Sequence, residues 1–232
     1  MKAIVFTEKN KISYQDIKTP SLEKEQVLIA VRASGLCHTD LDVLQGNYGS
    51  SAFPLVPGHE YAGTAVQIGD KVTKIKVGDN VVVDPNIECG YCLSCQKNNA
   101  HLCETLGAYG VTVNGGFAQY SVVHQNALHN IGDLPFHIAA LAEPLGCVLN
   151  GVGTINAGAS NNALIFGAGP IGLLFALAAK DKGAKKITFT DINPDRLLLA
   201  ESMGFNAVHS TEENLANLNK EFDLVVDATG LI

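Results

Sequence analysis

Residues 163–172 read Ala163-Leu164-Ile165-Phe166-Gly167-Ala168-Gly169-Pro170-Ile171-Gly172. Ala163–Phe166 is a short buried strand, and the residues after it spell GxGxxG at the head of an apolar helical run, Ile171–Lys182. Alone the hexapeptide is weak, because glycines recur in turns. Here it follows a strand, opens a helix and is trailed by Asp191 at the end of the next strand, Lys186–Thr190. That setting marks a dinucleotide-binding turn. Gly167 permits the tight turn, Gly169 lets the backbone approach a pyrophosphate, and Gly172 allows close helix–strand packing. Pro170 and Ile171 begin a helix whose first N–H groups and positive dipole end suit phosphate.

Asp191 is placed to accept hydrogen bonds from adenosine ribose hydroxyls and to repel a 2′-phosphate, which favours NAD over NADP. The plainer alternative is that Asp191 helps cap the helix beginning near Pro194. Arg196 stands among the cofactor-binding candidates because a nearby arginine can serve a 2′-phosphate; its other reading is a solvated residue on a helix face.

Downstream, Asn193 and Pro194 make a helix start for Pro194–Ser202, as N-cap and first helical position. Strand Asn206–His209, a polar helical segment and strand Phe222–Asp227 follow. Alternating strands and helices mean βαβ units and a parallel sheet. A full sheet of this kind has about six strands. Four are counted after Asn162, before the chain ends at Asp227-Ala228-Thr229-Gly230-Leu231-Ile232. The expectation is a doubly wound domain that is incomplete on its C-terminal side and lacks the nicotinamide half of the cofactor pocket.

Upstream the texture changes. Residues 1–150 carry short apolar runs broken by turn signals: strands at Ile4–Phe6, Val27–Arg32, Gly63–Ile68 and Asn80–Val83, with turns at Gly69-Asp70, Gly78-Asp79 and Asn114-Gly115-Gly116. This half reads as mainly β and barrel-like. Pro85–Leu106 is too polar and cysteine-rich for a core, so it is a surface lobe that needs something other than apolar burial to hold it.

Composition narrows the function. The 232 residues are 47% hydrophobic and 17% charged, enough to bury a core. A net charge of −7 argues against gripping nucleic acid through a basic surface. The N-terminus lacks the long apolar region of a signal peptide. Ala163–Ala179, the best membrane candidate, is broken by Gly167, Gly169, Pro170 and Gly172 and falls short of the ~20 residues a span needs. A cytoplasmic protein with no membrane partner is expected.

Four of the six cysteines fall in one lobe as Cys89-x2-Cys92-x2-Cys95-x7-Cys103. In a reducing compartment such clustering favours metal over disulfide. Four sulfur ligands, tetrahedral and closed, describe structural zinc. The iron–sulfur signature continues with x3-C-P after the third cysteine, whereas here the gap is seven residues and Glu104 follows. His101 is a spare donor beside a sphere that four cysteines already fill. A second set is dispersed: Cys37 in Gly35-Leu36-Cys37-His38-Thr39-Asp40, His59 and Glu60 after Gly58, and Glu143 and Cys147 around Pro144. By spacing alone these are weak, since a lone His or Glu beside Gly is more often structural.

Taken in order, GLCHTD (35–40), GHE (58–60), the four-cysteine lobe, GGFAQY (115–120), AEPL (142–145) and GAGPIG (167–172) resemble the zinc-dependent medium-chain dehydrogenases along the whole chain. The AEPL glutamate is similar to the sorbitol-like polyol branch. The resemblance implies an α/β protein with a β-rich domain: a GroES-like catalytic domain over 1–150 followed by a Rossmann domain over 151–232. It implies a catalytic zinc on Cys37, His59 and Glu143, with Glu60 as a ligand or exchanging with water, and a structural zinc on Cys89, Cys92, Cys95 and Cys103. Thr39 would pass on the alcohol proton and Asp40 would orient the zinc-binding histidine. Cys147 would be a small buried residue on the helix after Pro144 rather than the cysteine ligand of simple alcohol dehydrogenases. His38 leans the other way, towards the basic residue that alcohol dehydrogenases often carry near the cofactor phosphates. The implied activity is reversible hydride transfer between NAD and a secondary hydroxyl of a polyol or sugar derivative, in a homo-oligomer (dimer or tetramer). The alternatives are a simple alcohol or threonine-type dehydrogenase, and a truncated, non-catalytic zinc-binding module.

Overall fold

The structure, a computed structural model, describes residues 1–49, 52–160, 162–218 and 222–230. Leu231 and Ile232, the apolar end of the sequence, lie outside the described residues. The chain divides into two compact units, Met1–Glu143 and Pro144–Ile232.

The first unit is β-rich. In chain order it contains β1 (Lys2–Glu8), β2 (Lys11–Asp16), β3 (Gln26–Ser34), α1 (His38–Leu44), β4 (Tyr61–Ile68), β5 (Asn80–Val83), β6 (Asn86–Ile87), α2 (Leu93–Gln96), β7 (Gly107–Ala108), β8 (Tyr120–His124), β9 (Leu128–Asn130) and α3 (Phe136–Ala139). Helix α4 (Ala142–Thr154) leaves this unit and enters the second, and residue 150, where the sequence texture changes, lies within it. The main sheet runs β8-β3-β4-β5-β9, antiparallel throughout. It is a curled open sheet rather than a closed barrel, with two register shifts between β3 and β4; such bulges increase local bend and twist.

Alternation along the strands sets the two layers. Val27, Ile29, Tyr61, Val81, Val83 and Val123 share one core, while Ala62 and Val82 face Ala139 and Phe136 of α3 on the other side. Full burial of each valine or isoleucine among them contributes about 1.5–3 kcal/mol. The pairing that matters most for function is at the sheet's end. Ser34, the last residue of β3, is opposite Tyr61, the first of β4, and the Gly35 N–H donates to the Glu60 carbonyl at 2.7 Å. The strand exits therefore lay Gly35-Leu36-Cys37 beside His59-Glu60. The cysteine lobe projects from a neck where β6 and β7 pair, Asn86 with Ala108 and Ile87 with Gly107.

The second unit holds β10 (Asn162–Phe166), α5 (Pro170–Asp181), β11 (Lys186–Asp191), α6 (Pro194–Ser202), β12 (Asn206–His209), α7 (Glu212–Ala216) and β13 (Leu224–Asp227). Its sheet is parallel in the order β12-β11-β10-β13. The chain steps outward from β10 to β12 and then crosses back to place β13 on the far side of β10. The order reverses there, and ligands of open α/β sheets bind at such a switch point. Ile165, Phe175, Phe189, Leu197 and Phe205 pack the core, with Phe189 and Phe205 edge-to-face at 5.5 Å.

Residues 163–179 divide into β10 and α5, as their glycines imply. The described stretch nearest to membrane-span length is instead Phe136–Thr154, 19 residues long. A turn at Ala140-Leu141 splits it into α3 and α4.

Candidate metal centres and dinucleotide turn

Cys37, His59 and Glu60 converge, with one donor atom from each lying within 4.8 Å of the others. Asp40 joins the two segments that carry them. It is the third residue of α1, and its Oδ2 accepts the Cys37 amide at 2.9 Å, satisfying an N–H left open at the helix start. Its Oδ1 accepts the Gly58 amide at 3.3 Å and stands 3.4 Å from His59 Nδ1. Asp40 is 1% exposed, so it serves the helix start and faces the imidazole with the same carboxylate. The buried His59 Nδ1 faces this carboxylate without a hydrogen bond of good geometry. Burial disfavours the imidazolium, but Asp40 and Cys37 outweigh it and hold the His59 pKa up at about 10. Burial pushes the Glu60 carboxyl up; Glu143 and Asp40 add to this, against the pull of His59.

Thiol, imidazole and carboxylate in one cluster are a donor set suited to zinc. Glu143, in the first turn of α4, is not part of the tight group, yet its charge reaches Glu60. Thr39, half-buried, holds its Oγ1 3.6 Å from Cys37 Sγ. His38 is exposed. Cys147 corrects an expectation: it is exposed, not buried. The buried positions of α4 are Pro144, Val148 and Val152, four residues apart, and Cys147 falls off that stripe.

The four lobe cysteines also form one group. Cys92 Sγ is 3.5 Å from Cys95 Sγ, and Cys89 Sγ is 3.9 Å from Cys95 Sγ. A tetrahedron of Zn–S bonds of about 2.3 Å has edges of about 3.8 Å, so the spacing fits zinc. Backbone amides aim at the sulfurs: Cys89 N–H at Cys103 Sγ and Cys92 N–H at Cys89 Sγ, both 3.3 Å. The Cys89 amide is the main cause pulling the Cys103 thiol down to about 6, whereas burial and the neighbouring thiols push Cys95 up to about 12. His101 is exposed in a short 3-10 turn and is not in the cluster.

In the second unit Gly167 has φ +96, and a Cβ there would collide with the Ala228 backbone. Gly172 packs so closely on the Gly167 carbonyl that no side chain fits. Gly169 is the N-cap of α5, with Pro170 at its first position, and a Cβ there would meet nothing nearer than Arg196 Nη1 at 4.0 Å. The space over Gly169 and Ile171 is therefore an open cradle at a helix N-terminus, which fits a dinucleotide pyrophosphate. Asp191 is 6% exposed; its Oδ2 accepts the Ala168 amide and its Oδ1 the Asn193 amide, each at 2.8 Å. Asn193, the N-cap of α6, accepts in turn from the Asp195 and Arg196 amides. Asp191 thus ties the glycine turn to the next helix start, so the capping alternative and the cofactor reading share one residue. Arg196 Nη1 stands 3.8 Å from Asp191 Oδ2, half in solvent, a pairing worth little by itself.

Two contacts near the first centre were not legible as site residues. A Cβ on Gly35 would overlap Glu60 Oε2, so the bare glycine makes room for that carboxylate. Asn114 Oδ1 accepts the Val56 amide at 2.9 Å. A glycine at the head of GLCHTD was the available signal for the first; nothing local signals the second.

A family model described as the alcohol dehydrogenase GroES-like domain matches residues 23–133. The chain is 51% identical over 235 residues to D-altritol 5-dehydrogenase of Agrobacterium fabrum, with all of this chain and 70% of that protein aligned. It is 32% identical to D-arabinitol dehydrogenase 1 of Uromyces fabae, covering 100% of this chain and 69% of the relative. Among solved structures it is similar to one described as a zinc-binding dehydrogenase of Sinorhizobium meliloti 1021 bound to NADP, with TM-score 0.90, 30% identity, and coverage of 99% of this chain and 70% of the other.

Proposed function

The chain belongs to the zinc-dependent medium-chain dehydrogenases, in their sorbitol-like polyol branch, and on that premise we propose that it transfers a hydride reversibly between NAD and a secondary alcohol of a polyol or sugar derivative. The observation that carries the reading is the convergence of Cys37, His59 and Glu60 on one point, clamped by Asp40. The identity to a D-altritol 5-dehydrogenase supports the substrate class.

Cys37, His59 and the carboxylates of Glu60 and Glu143 would hold a zinc ion. Zinc at such a site supplies a Lewis acid that makes a hydroxyl easier to deprotonate. Asp40 keeps the imidazole and the Cys37 turn in fixed relation, so the donors need not reorganise. Thr39 Oγ1, 3.6 Å from Cys37 Sγ, would take up the substrate's hydroxyl proton and hand it outward. The cysteine lobe would hold a second, structural zinc, and its sulfur spacing supports this. At the glycine turn the first N–H groups of α5 would bind the pyrophosphate. NAD there would supply the hydride acceptor. Each Asp191 oxygen keeps a lone pair beyond its amide bond, enough to accept a ribose hydroxyl, and its charge repels the extra phosphate of NADP.

The test is a zinc count paired with NAD reduction over a panel of polyols, sugar alcohols and simple alcohols. Two zincs and turnover of polyols are expected. Turnover confined to short monohydric alcohols would remove the polyol assignment. Bound NAD and two zincs without turnover of any alcohol would leave a non-catalytic module.

A further inference from the structure

We infer that Gly110, upstream of the GGFAQY stretch, and Gly115, its first residue, form a positioning brace for His59. The inference rests on the reading of His59 as a metal ligand. The segment Val56–Gly58 leads directly into His59, and residues 114–117 bind it rung by rung. Asn114 Oδ1 accepts the Val56 amide, and the Gly115 amide donates to the Val56 carbonyl at 2.8 Å. The Gly116 amide donates to the Gly58 carbonyl at 2.8 Å and the Phe117 amide to the Pro57 carbonyl at 2.9 Å. From the other side Asp40 accepts the Gly58 amide. Gly58 itself has φ +91 and a Cβ would run into the Phe117 ring, so no side chain can replace it.

Bare backbone then closes on that carbonyl. A Cβ on Gly110 would overlap Gly58 O and C, and one on Gly115 would overlap Gly58 O and Gly110 Cα. Three buried glycine backbones meet with nothing between them. The Gly58 carbonyl belongs to the peptide that carries the His59 nitrogen, so any side chain in the stack moves the ligand itself. Metal–ligand distances at a well-formed site fall within about 0.2 Å of their ideal values, so a shift of the His59 backbone is felt at the metal. Gly115 lies outside the left-handed region, so alanine there meets no conformational penalty, and the perturbation is its push on Gly58 and Gly110, the two glycines it faces in the stack.

The experiment compares the zinc-loaded parent with Gly115→Ala and with Gly69→Ala, whose Cβ would press on the Glu23 and Lys24 carbonyls, a packing lesion of the same kind at the turn after β4. Metal content, metal affinity and the visible bands after cobalt substitution are read alongside melting temperature. Both variants should melt lower. Only Gly115→Ala should bind metal at the Cys37–His59 centre about 10–100-fold more weakly, with altered cobalt bands there and an intact four-sulfur signal. Parental affinity and bands in Gly115→Ala overturn the inference, as does equal metal loss in Gly69→Ala. Should Gly115→Ala not fold, Asn114→Ala removes one rung; a smaller shift in the same direction supports the brace, and none overturns it. A parent that takes up metal only in the cysteine lobe is a separate result, which overturns the ligand reading itself.

Discussion

Asp40 faces His59 with one carboxylate oxygen, 3.4 Å from Nδ1, while the other oxygen accepts the Cys37 amide at 2.9 Å. One buried anion thus fixes the relative placement of a thiol and an imidazole that are 22 residues apart in the chain. Asp40→Asn turns one of these acceptors into a donor, facing either an N–H or the imidazole. A buried mismatch of that kind costs about 1–3 kcal/mol. We expect about 10–100-fold loss of metal affinity or activity at this centre. Chelator competition followed by zinc analysis checks it, with the lobe zinc retained.

The identity of the third metal ligand separates the polyol branch from simple alcohol dehydrogenases. Glu143 is near enough to perturb Glu60, whereas Cys147 is exposed on α4. Glu143→Gln should therefore lower kcat and release zinc, and Cys147→Ser should leave both within experimental scatter. Loss of one zinc in Cys147→Ser, with Glu143→Gln silent, would move the chain to the cysteine-ligand branch.

The features legible in the sequence were those written in local spacing. The strand–glycine turn–helix at 163–182 and the cysteine lobe each depend on residues close together in the chain; the first folds as β10, a turn and α5, and the second brings its four sulfurs into one group. The link between Cys37 and His59 depends on strand register, Ser34 opposite Tyr61, which no local pattern encodes; only the family resemblance brought those residues together. Strands β2, β8 and β9 escaped notice because polar residues interrupt them: β2 is Lys-Ile-Ser-Tyr-Gln-Asp, with no buried position. Asn114-Gly115-Gly116 read as a turn, whereas its larger role is the run of bonds to Val56–Gly58.

Two buried phenols give a pH signature. Tyr61 is fully buried with its hydroxyl 2.9 Å from Ser121 Oγ, and burial pushes its pKa well above the usual range. Burial also raises Tyr109, against the His124 amide that donates to its hydroxyl at 2.9 Å. An unfolded tyrosine ionises near pH 10, so above that pH the unfolded chain binds fewer protons than the native one and stability falls as pH rises. Below it the contribution is fully present. Absorbance at 295 nm should plateau short of the six phenolates the sequence can provide, and the remainder should appear together with loss of the circular dichroism signal. Full phenolate absorbance in the folded protein would contradict this burial.

Asp191 carries two duties, and one substitution can separate them. Its carboxylate holds the Ala168 and Asn193 amides and opposes Arg196 Nη1 at 3.8 Å. Asp191→Asn keeps one good acceptor for the amides but removes the charge that repels a 2′-phosphate and neutralises Arg196. The NAD-to-NADP ratio of kcat/KM should fall about 10-fold or more, the equivalent of about 1.4 kcal/mol, with NADP gaining as NAD declines. Adding Arg196→Ala should cancel the NADP gain, because the released guanidinium is its source. Thermal melting gives the structural duty separately: weakening the ties to Ala168 and Asn193 should lower the melting temperature in the single and double variants alike. If the single variant melts lower with an unchanged cofactor ratio, Asp191 is a strut between the glycine turn and α6 and nothing more.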